Sequence, residues 1–180
     1  MRLFLFILGF PITYTMPERL TPLQQMEHIN NGNYYRGLVI NTFTTLERTI
    51  EEILNRHFIT NKKKEKDFLY IILDRMTFEA KRTSVRTLNE QKERAKRFIK
   101  TKNNSYPNSK LFEEIRLLQE ERNRFAHFTI MIPHEETDAV IGLAYLRDGF
   151  DPLWYTDNDI SNIITRIQDA TMQLRKLFLK

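Results

Sequence analysis

The sequence predicts a mainly α fold, a helical bundle interrupted by a small β-hairpin before its last helix. Three observations carry that expectation. Glycine and proline are scarce, at 5 and 6 of 180 residues. Apolar residues recur at three- and four-residue spacing through most of the chain, the period of one helix face. Only the stretch from Thr129 to Tyr155 changes texture, with β-prone runs on either side of an Asp148-Gly149 turn signal. The length suits one domain with a real core and is too short for two comfortable ones, so residues 20–180 are expected to form a single domain.

The first 19 residues stand apart. Arg2 precedes an apolar run from Leu3 to Phe10, and Pro11 follows, as in a short signal peptide. The run is far too short to span a bilayer, so no membrane partner is expected. A small-x-small cleavage site is poorly formed, with only Thr13-Tyr14-Thr15 on offer, and Met16 is an alternative start. The favoured expectation is a cytoplasmic product; secretion through residues 1–15 is the competing one.

Residues 17–32 are polar, with Pro17, Pro22 and Gly32, and Leu23, Met26 and Ile29 suggest a short helix. Asn33 is then the expected cap of a long helix reaching about Phe58, with Leu38, Phe43, Leu46, Ile50, Ile53 and Leu54 on its apolar face. The lysines at 62, 63, 64 and 66 break the pattern and read as a loop. A helical region from Asp67 follows, with Phe68, Ile71, Ile72 and Met76 as its spaced apolar residues. Thr77 caps a continuation from Phe78 to about Lys102. Asn103 to Asn108 is a loop, and Ser109 opens the next helix. Thr129 to Ile132, Ala139 to Leu146 and Phe150 to Tyr155 supply the hairpin. Thr156 and Asp159 make a capping pair for a last helix lined by Ile160, Ile163, Ile164, Ile167, Leu174, Leu177 and Phe178.

Composition narrows the chemistry. The chain has no cysteine, which excludes disulfides and thiolate catalysis. Four scattered histidines without a matching carboxylate cluster give no expected metal site, and no cofactor is expected. The net charge of +5 is concentrated in the lysine run and in the stretch from Lys81 to Lys102. Such a surface either attracts a nucleic-acid backbone or simply solvates a helix face. Arg86, Lys96 and Lys100 are the candidate RNA contacts in that stretch.

The segment Arg122-Asn123-Arg124-Phe125-Ala126-His127 combines an anion-binding group with an acid/base residue. Arginine presents a rigid fork of donors suited to phosphate, and histidine exchanges protons near neutral pH. Arg122 also falls on the apolar stripe of Leu111, Ile115, Leu118 and Phe125, where a charge is costly unless paired or functional. A nearby carboxylate such as Glu120 or Glu121 is the structural alternative. Geometry poses a problem for joint action. At ~100° per residue, five positions turn the side chain by about 140°, so Arg122 and His127 share no face of an ideal helix. Asn123 and His127 do. Either the helix loosens near Ala126, or a second subunit completes the site across a two-fold axis.

This organisation resembles the HEPN family (higher eukaryotes and prokaryotes nucleotide-binding), helical bundles whose active members carry Arg, four to six residues, then His, often with a polar residue after the Arg. Arg122, Asn123 and His127 match that pattern, and the helix through Leu46-Glu47-Arg48 to Leu54 looks like an early family helix. The resemblance spans residues 20 to 180. It implies a metal-independent ribonuclease, often a toxin or antiphage effector and usually a dimer, with an antitoxin protein as a candidate partner. On that resemblance Arg122 holds the scissile phosphate, His127 is the general acid or base, and Asn123 orients one of them. Thr129 stands where one branch of the family has a tyrosine, so regulation through a modified tyrosine is not expected. The competing class is a non-catalytic helical module that dimerises or binds nucleotide or RNA.

Overall fold

The computed structural model describes residues 3–7, 10–14, 20–96, 106–135, 137–145 and 151–179. The fold is mainly helical with a small antiparallel sheet. Leu3–Ile7 (β1) and Phe10–Tyr14 (β2) pair antiparallel, with Leu3 opposite Tyr14.

Helix α1 runs unbroken from Pro22 to Phe58, 37 residues. The short helix and the long helix expected on either side of Gly32 are therefore one. Its start is set by a capping box between Thr21 and Gln24 with Pro22 in the first turn, an arrangement that satisfies the first free amides. Gly32 does not break it. A Cβ there would stand 3.1 Å from Cγ2 of Ile130, so the glycine serves the close approach of the sheet.

The lysine run is not an open loop. Lys62–Lys64 form a 3-10 turn and Glu65–Asp67 a short helix, α2. Phe68–Ile72 then form a π turn, closed by Leu73–Arg75 as a 3-10 turn. This overturns the expected apolar face. The wider π turn adds a residue per turn, so Phe68, Leu69 and Leu73 face inward and Ile71 and Ile72 are left exposed.

Helix α3 spans Phe78–Ala95 from its Thr77 cap. Residues 97–105 lie outside the described residues, and with them the expected end of this helix. Asn108, at φ 66°, precedes helix α4, Ser109–His127. Asparagine tolerates this left-handed conformation. Its amide donates to Asn89 Oδ1 at 3.3 Å, and the Asn89 amide donates to the carbonyl of Pro107 at 3.0 Å, which fixes the start of α4 against α3.

Thr129–Met131 (β3), Ala139–Ala144 (β4) and Leu153–Thr156 (β5) form one antiparallel sheet in sequence order. The expected hairpin thus gains a strand, because Thr129 to Met131 pairs with Gly142 to Ala144. The Asp148-Gly149 turn signal lies outside the described residues. Helix α5, Asp157–Phe178, has the expected Thr156–Asp159 capping box. The core joins Phe43, Leu46 and Ile50 of α1 to Ile115, Leu118 and Phe125 of α4 and Ile160, Ile167 and Leu174 of α5. The sheet closes one end through Ile141, Leu143 and Tyr155.

Candidate active site at the end of helix α4

Helix α4 presents Leu111, Ile115, Leu118 and Phe125 to the core, each 7% exposed or less. Arg122 occupies the intervening stripe position and is half-buried. Its Nη1 donates to Oδ1 of Asn123 at 3.3 Å. The two carboxylates next to it are engaged elsewhere. Glu120 accepts from Arg116, while Glu121 accepts from Arg124 Nη1 at 2.8 Å and from the Tyr155 hydroxyl at 3.2 Å. Burial, followed by the Glu121 charge, pushes the Tyr155 hydroxyl up to about 12, so it stays a donor. Among the described residues Arg122 forms no ion pair.

Asn123 and His127 are exposed on the next face of the helix. The helix does not loosen near Ala126. It stays α-helical to His127, and the Phe128 amide still donates to the Arg124 carbonyl at 3.0 Å. Within one chain the turn of about 140° between Arg122 and His127 therefore stands.

The end of α4 carries a residue that reading the sequence missed. Arg36 of α1 donates through Nη2 to the carbonyl of Phe128, the residue after His127. Its Nε is buried without a hydrogen-bond partner. Burial pulls the Arg36 guanidinium below its ordinary value. Phe128 also stacks on Tyr145, with ring centroids 5.3 Å apart and planes at 29°. On the other side of α1 the Tyr35 hydroxyl donates to Asp157 at the start of α5. That charged partner, followed by burial, raises the tyrosine above its ordinary value.

The basic stretch is largely occupied within the fold. Lys81 and Arg82 are buried, not part of a surface. Lys81 Nζ donates to Glu47 at 2.8 Å and to Glu51, and Arg82 Nε donates to Glu79 at 3.0 Å. Arg86 pairs with Glu90 and Lys96 with Glu93, each at 3.0 Å. Lys100 lies outside the described residues. Trp154 and Tyr34 are exposed, 40% and 64%, and the Trp154 ring lies across Gly142, where a Cβ would meet it at 2.2 Å.

Among the described residues no three His, Cys, Asp or Glu side chains come together as a metal would need, and no helix is long and apolar enough to cross a membrane. No family model, no curated protein and no solved structure matches this chain.

Proposed function

We propose that this chain is a metal-independent RNA endonuclease, of the kind deployed as a toxin or antiphage effector with an antitoxin partner. One observation carries the reading. A half-buried arginine stands in a packing stripe, bonded to Asn123 and paired with no carboxylate among the described residues, five residues before an exposed histidine. A guanidinium left in that state is available to an anion, and phosphate matches its fork.

The chemistry follows from those groups. A base removes the proton of a ribose 2′-hydroxyl, and the oxygen bonds to the adjacent phosphorus. The bond to the 5′-oxygen breaks, and that oxygen takes a proton. The products are a 2′,3′-cyclic phosphate and a 5′-hydroxyl. His127 exchanges one of these protons, Arg122 stabilises the charge gained by the phosphate, and Asn123 orients the pair. Because α4 turns Arg122 and His127 apart, the reading requires a symmetric homodimer with α4 near the two-fold axis, so that one copy's arginine meets its partner's histidine.

The same angular separation favours a second reading, a non-catalytic module that dimerises or binds RNA. Purified protein in excess EDTA separates the two. The nuclease cuts RNA but not DNA and leaves cyclic phosphate ends. His127→Ala lowers the rate by ~10²-fold or more. Protein inert on diverse RNAs leaves the binding module, and a stable monomer sinks the composite site.

A further inference from the structure

The strand that follows His127 brings an aromatic pair and a cation to the same end of α4. Thr129 pairs with Ala144, so Phe128 and Tyr145 stand at the next position outward from the sheet. Phe128 packs against the core, and Tyr145 is stacked on it while remaining 37% exposed. Arg36 holds the Phe128 carbonyl. The residue that follows His127 thus joins a backing aromatic ring to a half-buried guanidinium.

We propose that Tyr145, backed by Phe128, is a base-stacking platform that makes this site select single-stranded RNA. The inference rests on the ribonuclease reading above and deepens it. A ring with one face braced and part of its surface open offers a π-face to an unpaired base at little ordering cost, because its own rotamer is held by the stack. Bases inside an A-form duplex are stacked on each other and offer no such face. Arg36 adds positive charge beside the same nucleotide. It has no carboxylate partner among the described residues, so its field is not cancelled locally. Neither group takes part in proton transfer. Tyr145 positions the nucleotide, and the effect belongs in substrate binding.

The test uses a short RNA with 2′-O-methyl groups, which cannot be cleaved by 2′-hydroxyl attack, and 2-aminopurine as the stacking reporter. Wild-type protein should quench the reporter on binding. Tyr145→Ala should lose the quench and weaken binding by roughly 5- to 150-fold, the range for one stacked base. On cleavable RNA the loss should fall on KM with kcat nearly kept. Tyr145→Phe should restore both, and Tyr145→Leu, which keeps packing on Phe128, should not. Duplex RNA should be a poor substrate. Equal KM for wild type and Tyr145→Ala, or equal cleavage of duplex and single strand, overturns the platform while leaving the nuclease standing. A wild type that neither binds nor cuts any RNA overturns both.

Discussion

Two regions of this molecule put cations into the packing stripe of a helix, and they treat them in opposite ways. On α3, Lys81 and Arg82 are 4% and 7% exposed and are matched by carboxylates. Glu47 and Glu51 of α1 take the lysine, and Glu79 takes the arginine. At the end of α4, Arg122 and Arg36 sit half-buried and, among the described residues, bond only to neutral oxygens, the Asn123 amide and the Phe128 carbonyl. A buried charge costs several kcal/mol unless it is paired. Both α3 cations meet that cost inside the chain: Lys81 ties α3 to α1, while Arg82 pairs with Glu79 of its own helix and donates to the Phe112 carbonyl of α4 at 3.4 Å. The other two are held with capacity to spare, the state expected of groups that meet an anion from outside.

The largest effects should fall on opposite observables. Lys81→Ala leaves Glu47 and Glu51 facing each other without a counter-charge, and should destabilise the fold by about 3–5 kcal/mol in urea unfolding. Arg122→Ala should cost little stability, within about 1 kcal/mol, because no partner carboxylate is orphaned. It should cost ~10²-fold or more in RNA cleavage. Arg122→Lys should recover little, since charge is kept but the fork is lost. If Arg122→Ala unfolds the protein as Lys81→Ala does, the contrast is broken and Arg122 joins the structural class.

The test that exposed Arg122, a charge standing where an apolar stripe predicts none, also exposes Arg36. Gly32, Arg36, Val39, Phe43, Leu46 and Ile50 follow one three-and-four spacing along α1. The series is cut in the sequence by the expected Asn33 cap, which leaves Gly32 outside the long helix. Gly32 lies inside the helix because Ile130, about a hundred positions away, needs the space. The π turn was hidden for a related reason. Phe68, Ile71, Ile72 and Met76 fit an α-helical face, whereas the observed wider turn accompanies the burial of Leu73, which that spacing does not mark. The starts of the two helices with strong local signals were legible to the residue, α4 at Ser109 and α5 after its Thr156–Asp159 capping box. Likewise a basic run shows the cations but not the carboxylates of another helix that neutralise them, as Glu47 and Glu51 do for Lys81.

A smaller effect lies in pH. The Arg82 hydrogen bond holds the Glu79 carboxyl below its ordinary value, and burial opposes it less strongly. A carboxylate depressed in the folded state contributes stability above its unfolded value and loses that contribution as pH falls through the folded one. Wild-type stability should therefore decline below about pH 5. Glu79→Gln should show a shallower decline over the same interval while starting less stable at neutral pH. Parallel curves would mean that the Glu79–Arg82 pair adds nothing to the α3 side of the contrast.

The smallest effect concerns the exposed cations of α3. Arg86 and Lys96 were the expected RNA contacts, yet each is paired at 3.0 Å with a glutamate of its own helix, Glu90 or Glu93. A pair on one helix presents little net charge to a polyanion, and at such exposure it adds little stability either. Reversing both residues to Glu, with Lys100→Glu alongside, should weaken RNA binding and lower the slope of log affinity against log salt. If all three neutralise phosphates, the slope should fall by about three, near one per contact. If the glutamates already cancel Arg86 and Lys96, it should fall by about one, from Lys100 alone. The paired state predicts the smaller number. A fall near three would show that these ion pairs open to receive RNA, and that the division between cations held inside the fold and cations offered to an anion does not extend to the surface.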